Sequence, residues 1–485
     1  MKPYPGFLGG SARVQGVTFD QARTVNWYLE PNPQGALSEA AFYPTPGFQS
    51  FVGAAAAGIT DVGGRAIFSM NTRTFAVIGG GFYELFQTKT VTRHGSVAQD
   101  NNLATISYNG AGGGQLFITS GGNGYLFTLA TNTLTTIAAL TGKATMGAML
   151  DGYFIAFDQT NSKIWLSNLL DGATWDTTQF AQRSIAPDLW QACVIGTREI
   201  WLIGEQTGEV WYDAGSFPFP FAPIPGAFFK FGTPAPFSVA AAGDSVIWLS
   251  KDALGAGQVV QARGYTPQRI SDYALETAIS GYQRTSSISD AEALVYQQEG
   301  HTFYVLRFPT ANATWVYDLT TGVWHERGSW SSAQMRWNAW KPRVHGYAFG
   351  QHLTGESTSG TIATMDVTYG SELDGSVIRR QRIGPPIFGD DQRLFSARFH
   401  LVLEPGLGLA SGQGSDPTVM LRLSKDGKTW GTERTASAGK IGVYGKRVYW
   451  TRNGSGRLLV PEVTVTDPIP WRLAGALIGL DAQAA

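Results

Sequence analysis

The chain has 485 residues, 43 % of them hydrophobic and only 15 % charged, with a net charge of −1. A core of normal size is therefore available and disorder is excluded, while the near-zero balance gives no ground for whole-chain binding to nucleic acid. Charged residues fall well below the roughly 25 % of ordinary soluble domains, so much of the surface is expected to be covered by partners.

The opening "MKPYPGFLGGSARV" has no apolar stretch of the secretory kind, and no apolar run nears the ~18 residues a spanning helix needs. Synthesis in the cytoplasm without membrane insertion is the expectation. Residues 1–52 read as N-terminal strands or an arm. Within "NWYLEPNPQGALSEAAFYPTPGFQSF" (26–51), Pro31, Pro33, Pro44 and Pro46 fix φ and remove donors, which bars a helix or a central strand. Asn32 to Gly35 reads as a turn, and Thr45 to Phe48 suits a type II turn centred on Pro46 and Gly47. The aromatics Trp27, Tyr28, Phe42 and Tyr43 carry too much apolar surface for water. Two readings follow: an edge strand of the chain's own fold, or an arm that contacts a neighbouring subunit.

From about 53 to 375, helical periodicity is nearly absent and short β-rich runs alternate with Gly, Asn, Asp and Thr turns. "REIWLIGEQTGEVWYDAG" (198–215) and "HTFYVLRFPTANATWVYDLTTGVWHERGSW" (301–330) read as hairpins. "KIWLS", "EIWLI" and "VIWLS" begin at residues 163, 199 and 246. A loose repeat of about 40–45 residues with some four strands each predicts a β-propeller of six or seven blades. The lone cysteine, Cys193, reads as a buried strand residue. Near 376 the character changes. Residues 376–485 carry 15 basic and 9 acidic side chains against 21 and 28 in residues 1–375. Alternating runs such as "LFSARFHLVLE" predict a C-terminal antiparallel β-sandwich over 376–485. The fold class is thus all-β. Arg379, Arg380 and Arg382 in this basic part are candidates for binding an acidic partner.

Catalytic patterns are missing. The six histidines show no metal spacing, Gly-Lys pairs lack the rest of a phosphate loop, and no G-x-S-x-G elbow occurs. His325 and Glu326 are adjacent on a strand and so point to opposite faces. "LLDGATW" (169–175) and "SKDGKTW" (424–430) are similar to sialidase Asp-box turns, but those are hairpin turns and not catalytic groups. No enzyme, cofactor or metal is expected. A glycan-binding or glycan-hydrolysing propeller is the chief alternative, with Trp330, Trp337 and Trp340 in "SWSSAQMRWNAWKPR" (329–343) as its candidate platform. A cellular scaffold propeller is a third reading.

Three stretches together resemble the packaged-DNA stabilisation and tail-hub (nozzle) proteins of short-tailed bacteriophages. They are "QARTVNWYLEPNPQGALSEAAFYPTPGFQSF", with a V-N-aromatic start and a P-T-P-G turn, "RRQRIGPPIFGDDQRLFSARFHLVLEPGLGL" (379–409), and the closing 416–480. The resemblance implies a structural protein of the virion tail, a propeller joined to a sandwich. It further implies a ring of six copies below the portal and its adaptor or connector proteins. Such a ring closes the DNA channel after packaging, passes genomic DNA without sequence-specific binding, and anchors fibres, tailspikes or a needle. It carries no catalytic residues.

Overall fold

The computed structural model describes all residues except 14–15, 17–19, 33–37, 184–186, 252–254, 256, 390–391 and 484–485. Residues 33–35 of the expected Asn32 to Gly35 turn therefore lie outside the described set. Seven antiparallel four-stranded blades form a ring. Their innermost strands are Gly64–Met70, Thr105–Tyr108, Met146–Leu150, Trp190–Gly196, Ala240–Ala242, Glu292–Gln298 and Pro342–Ala348. Each packs on the next, and the last returns to the first. Six blades are separate sheets, while the sixth in order, spanning 292–326, merges with a larger sheet. Tight turns place Asn71, Asp151, Ser162 and Asn312 at positive φ, a conformation that short polar side chains tolerate. Middle strands are buried on both faces by neighbouring blades. Arg73–Ile78, Tyr153–Asp158 and Glu199–Gly204 therefore read as continuous apolar runs and not as alternation.

The look-alike strands that suggested the repeat are not equivalent. Lys163–Asn168 is the third strand of its blade, whereas Glu199–Gly204 and Ser245–Lys251 are second strands. The matching second strand of the earlier blade is Tyr153–Asp158.

The seventh blade closes the ring with a borrowed strand. Its outermost member is Gly47–Val52, paired antiparallel with Ile362–Asp366. The expected type II turn at Thr45 to Phe48 does not form, because Gly47 is not at positive φ and opens the strand instead. Gly47 is needed for space: a Cβ there would lie 2.3 Å from the Tyr369 carbonyl oxygen.

The remaining N-terminal strands belong to the sandwich. One of its sheets runs Trp27–Pro31, Ala40–Pro44, Leu473–Gln483, Arg393–Leu403, Val448–Thr451. The other contains Gln21–Val25, Arg380–Ile383, Leu458–Val465, Thr418–Ser424 and Arg434–Ser437, and Val25 bridges in parallel to Glu326 of the sixth blade. Trp27 and Phe42 pack with Phe399, Leu421, Trp450 and Trp471 in the core between the sheets. Residues 1–52 are thus divided between sandwich and propeller and do not stand apart as an arm. Pro31 ends the edge strand, as its missing donor requires. Pro44 instead ends a strand inside the sheet, against the expectation, and is tolerated because that strand meets Leu473–Gln483 only at Phe42.

One α-helix, Tyr273–Thr285, interrupts the β pattern between the fifth and sixth blades. Asp272 caps it by accepting the Leu275 N–H at 2.8 Å.

Candidate functional site: the joint between propeller and sandwich

The expected contact residues converge where the N-terminal strands, the sixth blade and Arg379 to Arg382 meet. Asn26, at φ 59°, makes the corner between Gln21–Val25 and Trp27–Pro31. Its amide donates to the carbonyls of Gly328 and Arg379, each at 2.8 Å, and its Oδ1 accepts the Gly328 N–H at 3.1 Å. One short side chain thereby ties the sixth blade's exit to both halves of the joint. Beside it, Arg23 grips Glu326 bidentately, with Nη2–Oε2 at 2.6 Å and Nε–Oε1 at 2.9 Å.

Arg382 is fully buried and meets no carboxylate at hydrogen-bond distance. Its guanidinium donates to the carbonyls of Phe7 (2.7 Å), Gly6 (2.8 Å), Gly10 (3.0 Å) and Gly9 (3.3 Å), and to Thr24 Oγ1 (2.7 Å). Burial pulls its pKa down to about 10, which still leaves it charged at neutral pH. Arg380 is equally buried, donates to the Thr45 carbonyl at 3.3 Å, and is likewise lowered to about 10 by burial. Arg379 is half-buried, with its guanidinium 4.3 Å from the Trp330 ring centre.

Trp27, Tyr28, Phe42, Arg380 and Arg382 are therefore buried within this chain, and only Tyr43 and Arg379 keep partial exposure. Tyr28 faces away from Trp27 and packs with Phe48, Tyr296, Phe303 and Trp340. As free contact surface for another protein, the five buried residues are excluded by their own packing. The tryptophan platform is not assembled either. Trp330 and Trp337 form a cross-strand pair with centroids 5.3 Å apart, while Trp340 is buried separately in the blade cluster. Arg379 and Arg23 cover the paired rings. The Asp-box-like turns are hairpin turns, with Asp426 accepting the N–H groups of Lys428 and Thr429 at 2.8 and 2.7 Å.

Sequence reasoning missed a set of ionisable groups around the joint. His301 sits between Asp318 and Glu30, with Nδ1–Oδ2 and Nε2–Oε2 both at 2.7 Å. Burial alone would lower its pKa, but the two carboxylates raise it. Glu372 is buried against Ser329, and desolvation pushes its pKa up to about 7. His345 and His352 share a 3.0 Å contact in a cleft of about 860 Å³ between the sixth and seventh blades, and burial drives both pKa values down. His325 is buried and lies apart from Glu326, which pairs with Arg23. Among the described residues no group of three His, Cys, Asp or Glu could hold a metal ion, and no helix is long and apolar enough to cross a membrane. Cys193 is buried on Trp190–Gly196 and its thiol is pushed up to about 12 by desolvation. The early signals for the joint were the V-N-aromatic start that contains Asn26 and the arginines Arg379, Arg380 and Arg382.

Two family models match this arrangement in order. "Bacteriophage P22 Gp10, beta-propeller" matches residues 7–370, and "Bacteriophage P22 Gp10, beta-sandwich" matches residues 379–480. The chain belongs to the bacteriophage P22 Gp10 family. Membership makes it a structural phage protein, of a family placed in the virion tail. No curated protein matches it. Several solved structures show weak similarity. PorZ, a surface component of the type-IX secretion system of Porphyromonas gingivalis, is 11 % identical over 80 % of this chain, with a TM-score of 0.35. This chain covers 46 % of PorZ. The extracellular domain of a putative hybrid two component system from B. thetaiotaomicron is 8 % identical over 89 % of this chain and 60 % of its own, at 0.42. The RRP9 WD40 repeats are 7 % identical over 67 % of this chain and 99 % of theirs, at 0.40. None reaches 0.5, so the Gp10 family match alone carries the functional reading.

Proposed function

We propose that this chain is a subunit of a tail-hub ring that docks below the portal-adaptor proteins, closes the DNA channel after packaging and anchors fibres, tailspikes or a needle. The observation that carries this reading is the ordered match of both Gp10 family models to nearly the whole chain. Two physical features support it. The propeller axis is narrow: Phe68, Ile106, Met146, Met149, Val194 and Phe237 help to line the cavity of about 520 Å³ that lies in it. DNA therefore does not pass through a single propeller, and a channel has to lie between subunits. A passage for DNA should also not grip phosphate, since each neutralised phosphate adds salt-dependent affinity. A net charge of −1 suits that role. The protein's work in this reading is mechanical, and no residue acts as a catalyst.

Particles made without the protein test it. They should package DNA and then lose it, giving empty heads without tail appendages in electron micrographs. Filled, stable heads from the deletion strain would refute the reading.

A further inference from the structure

Five large exposed apolar side chains gather at one end of the propeller's third to fifth blades, while Tyr273, Met335 and Tyr347 are exposed singly on other parts of it. Leu169 and Leu170, Tyr212 and Phe217, and Tyr265 all lie in or beside the turns that join third to fourth strands. Phe217 is 95 % exposed and Leu169 55 %. Leu170 holds φ at 56°, a conformation that a bulky side chain rarely adopts. In the same blades the first-to-second turns open on this end too. Together these turns hold five acids, Asp151, Asp171, Glu199, Asp213 and Asp244, against two arginines, Arg198 and Arg263. Arg198 is already paired with Asp151 at 2.5 Å. This end is apolar and acidic.

The sandwich presents the opposite character in one loop. Residues 440–447, "KIGVYGKR", are exposed without interruption. Tyr444 is 73 % and Ile441 61 % exposed, and Lys440, Lys446 and Arg447 flank them with no acid in the loop. The Gly442 N–H donates to Gly406 O at 3.1 Å and the Val443 N–H to Lys440 O at 3.0 Å, so the loop has a defined shape. In a ring of seven blades, the third and fourth stand across the axis from the sixth and seventh, which carry the sandwich. The face and the loop are unlike surfaces on different domains of one chain, and a head-to-tail, heterologous contact joins two such unlike surfaces.

We propose that the loop 440–447 of one copy docks on the blade three-to-five end of a second copy, with Tyr444 and Ile441 meeting Phe217, Leu169 and Leu170, and the lysines and arginine facing the acids. Apolar centres with complementary charge at the rim are the anatomy of specific interfaces. The inference rests on the ring reading above and assigns its contact surfaces.

Charge exchange in the full chain tests it. One variant carries Lys440→Glu, Lys446→Glu and Arg447→Glu, and another carries Asp171→Lys, Asp213→Lys and Asp244→Lys. Each alone should lose at least tenfold in self-association by mass photometry, with unchanged circular dichroism. Mixed in equal amounts, the two should assemble again as alternating rings, because each altered loop then meets an altered face. Assembly of either variant alone like the parent, or no recovery on mixing, overturns the inference while leaving the ring reading intact. A parent protein that never self-associates, in solution or cross-linked within particles, overturns both. Normal rings from the loop variant with altered DNA retention would place the loop against the channel, and would also overturn it.

Discussion

Residues 26–51 and residues 440–447 make opposite impressions in sequence and in space. The first stretch, aromatic and proline-rich, looks like material for another subunit, yet Trp27, Phe42 and Phe51 are buried within their own chain. The second is a short loop with two glycines among basic residues, yet it exposes Ile441, Val443 and Tyr444. Apolar content states that a side chain seeks cover; it does not state whose surface provides it. The cover for Trp27 is Phe399, Trp450 and Trp471, far along the chain, so no local pattern could announce it.

The contrast can be broken most severely by removing residues 1–51. That takes nearly all of the closing strand from the seventh blade and five strands, two of them only two residues long, from the sandwich sheets. The expected result is loss of any cooperative melting transition by circular dichroism. Residues 376–485 expressed alone should be unfolded for the same reason. A folded, assembling deletion variant would show the segment to be peripheral after all. Next in size are single changes inside the joint. Trp27→Ala and Arg382→Ala should each cost about 3–5 kcal/mol, the first through a cavity and the second by stranding buried carbonyls. Arg379→Ala loses a stack on Trp330 and a 3.8 Å contact with Glu462, which keeps Arg422 as its closer partner, and should cost about 1 kcal/mol. Urea midpoints rank the three, and an equal loss for Arg379 and Arg382 would contradict the difference in their burial.

Glu372 supplies a smaller, pH-dependent effect. Its folded pKa of about 7 lies above the unfolded value, so the folded state holds the proton longer. Its stabilising contribution is complete below about 4.5 and is lost as pH rises through 7, by on the order of 1–3 kcal/mol. Glu372→Gln should flatten melting temperature against pH in that window. His301, also raised, acts with the same sign at higher pH, above its ordinary 6.5, which keeps the two effects separable. The smallest change is expected at the exposed sites. Phe217→Ser and Tyr444→Ser should leave monomer stability within ~0.5 kcal/mol, and a large drop in melting temperature would mean that these side chains are packed within the chain.

Strands and hairpins were legible because turn residues punctuate them, and the change of character near 376 was legible in charge. Length narrowed the propeller to six or seven blades without deciding between them, and the repeat was traced through third and second strands that merely look alike. The helix Tyr273–Thr285 went unseen although Leu275, Ala278, Ile279 and Tyr282 pack on the core at i, i+3, i+4 and i+7, because Ala278 and Tyr282 give that stripe little apolar contrast. Asp272 before it and Glu276 in its first turn were the available signals. The joint was the least legible part. Asn26, Arg23 with Glu326, and Arg382 with the carbonyls of residues 6–10 all act across more than 280 residues of sequence.

Borrowing strands from the start of the chain also sets a timetable. During synthesis, Trp27–Pro31 and Ala40–Pro44 wait for Leu473–Gln483, and Gly47–Val52 waits for Ile362–Asp366. Non-local pairings of this kind form slowly and leave apolar edges open meanwhile. The loop 440–447 leaves the ribosome only after the whole propeller has been made, and its sheets take their shape only when the first residues join them. In the proposed ring, a truncated or half-folded copy would then fail to present that surface, and the chain's weave would act as a proofreading step ahead of assembly.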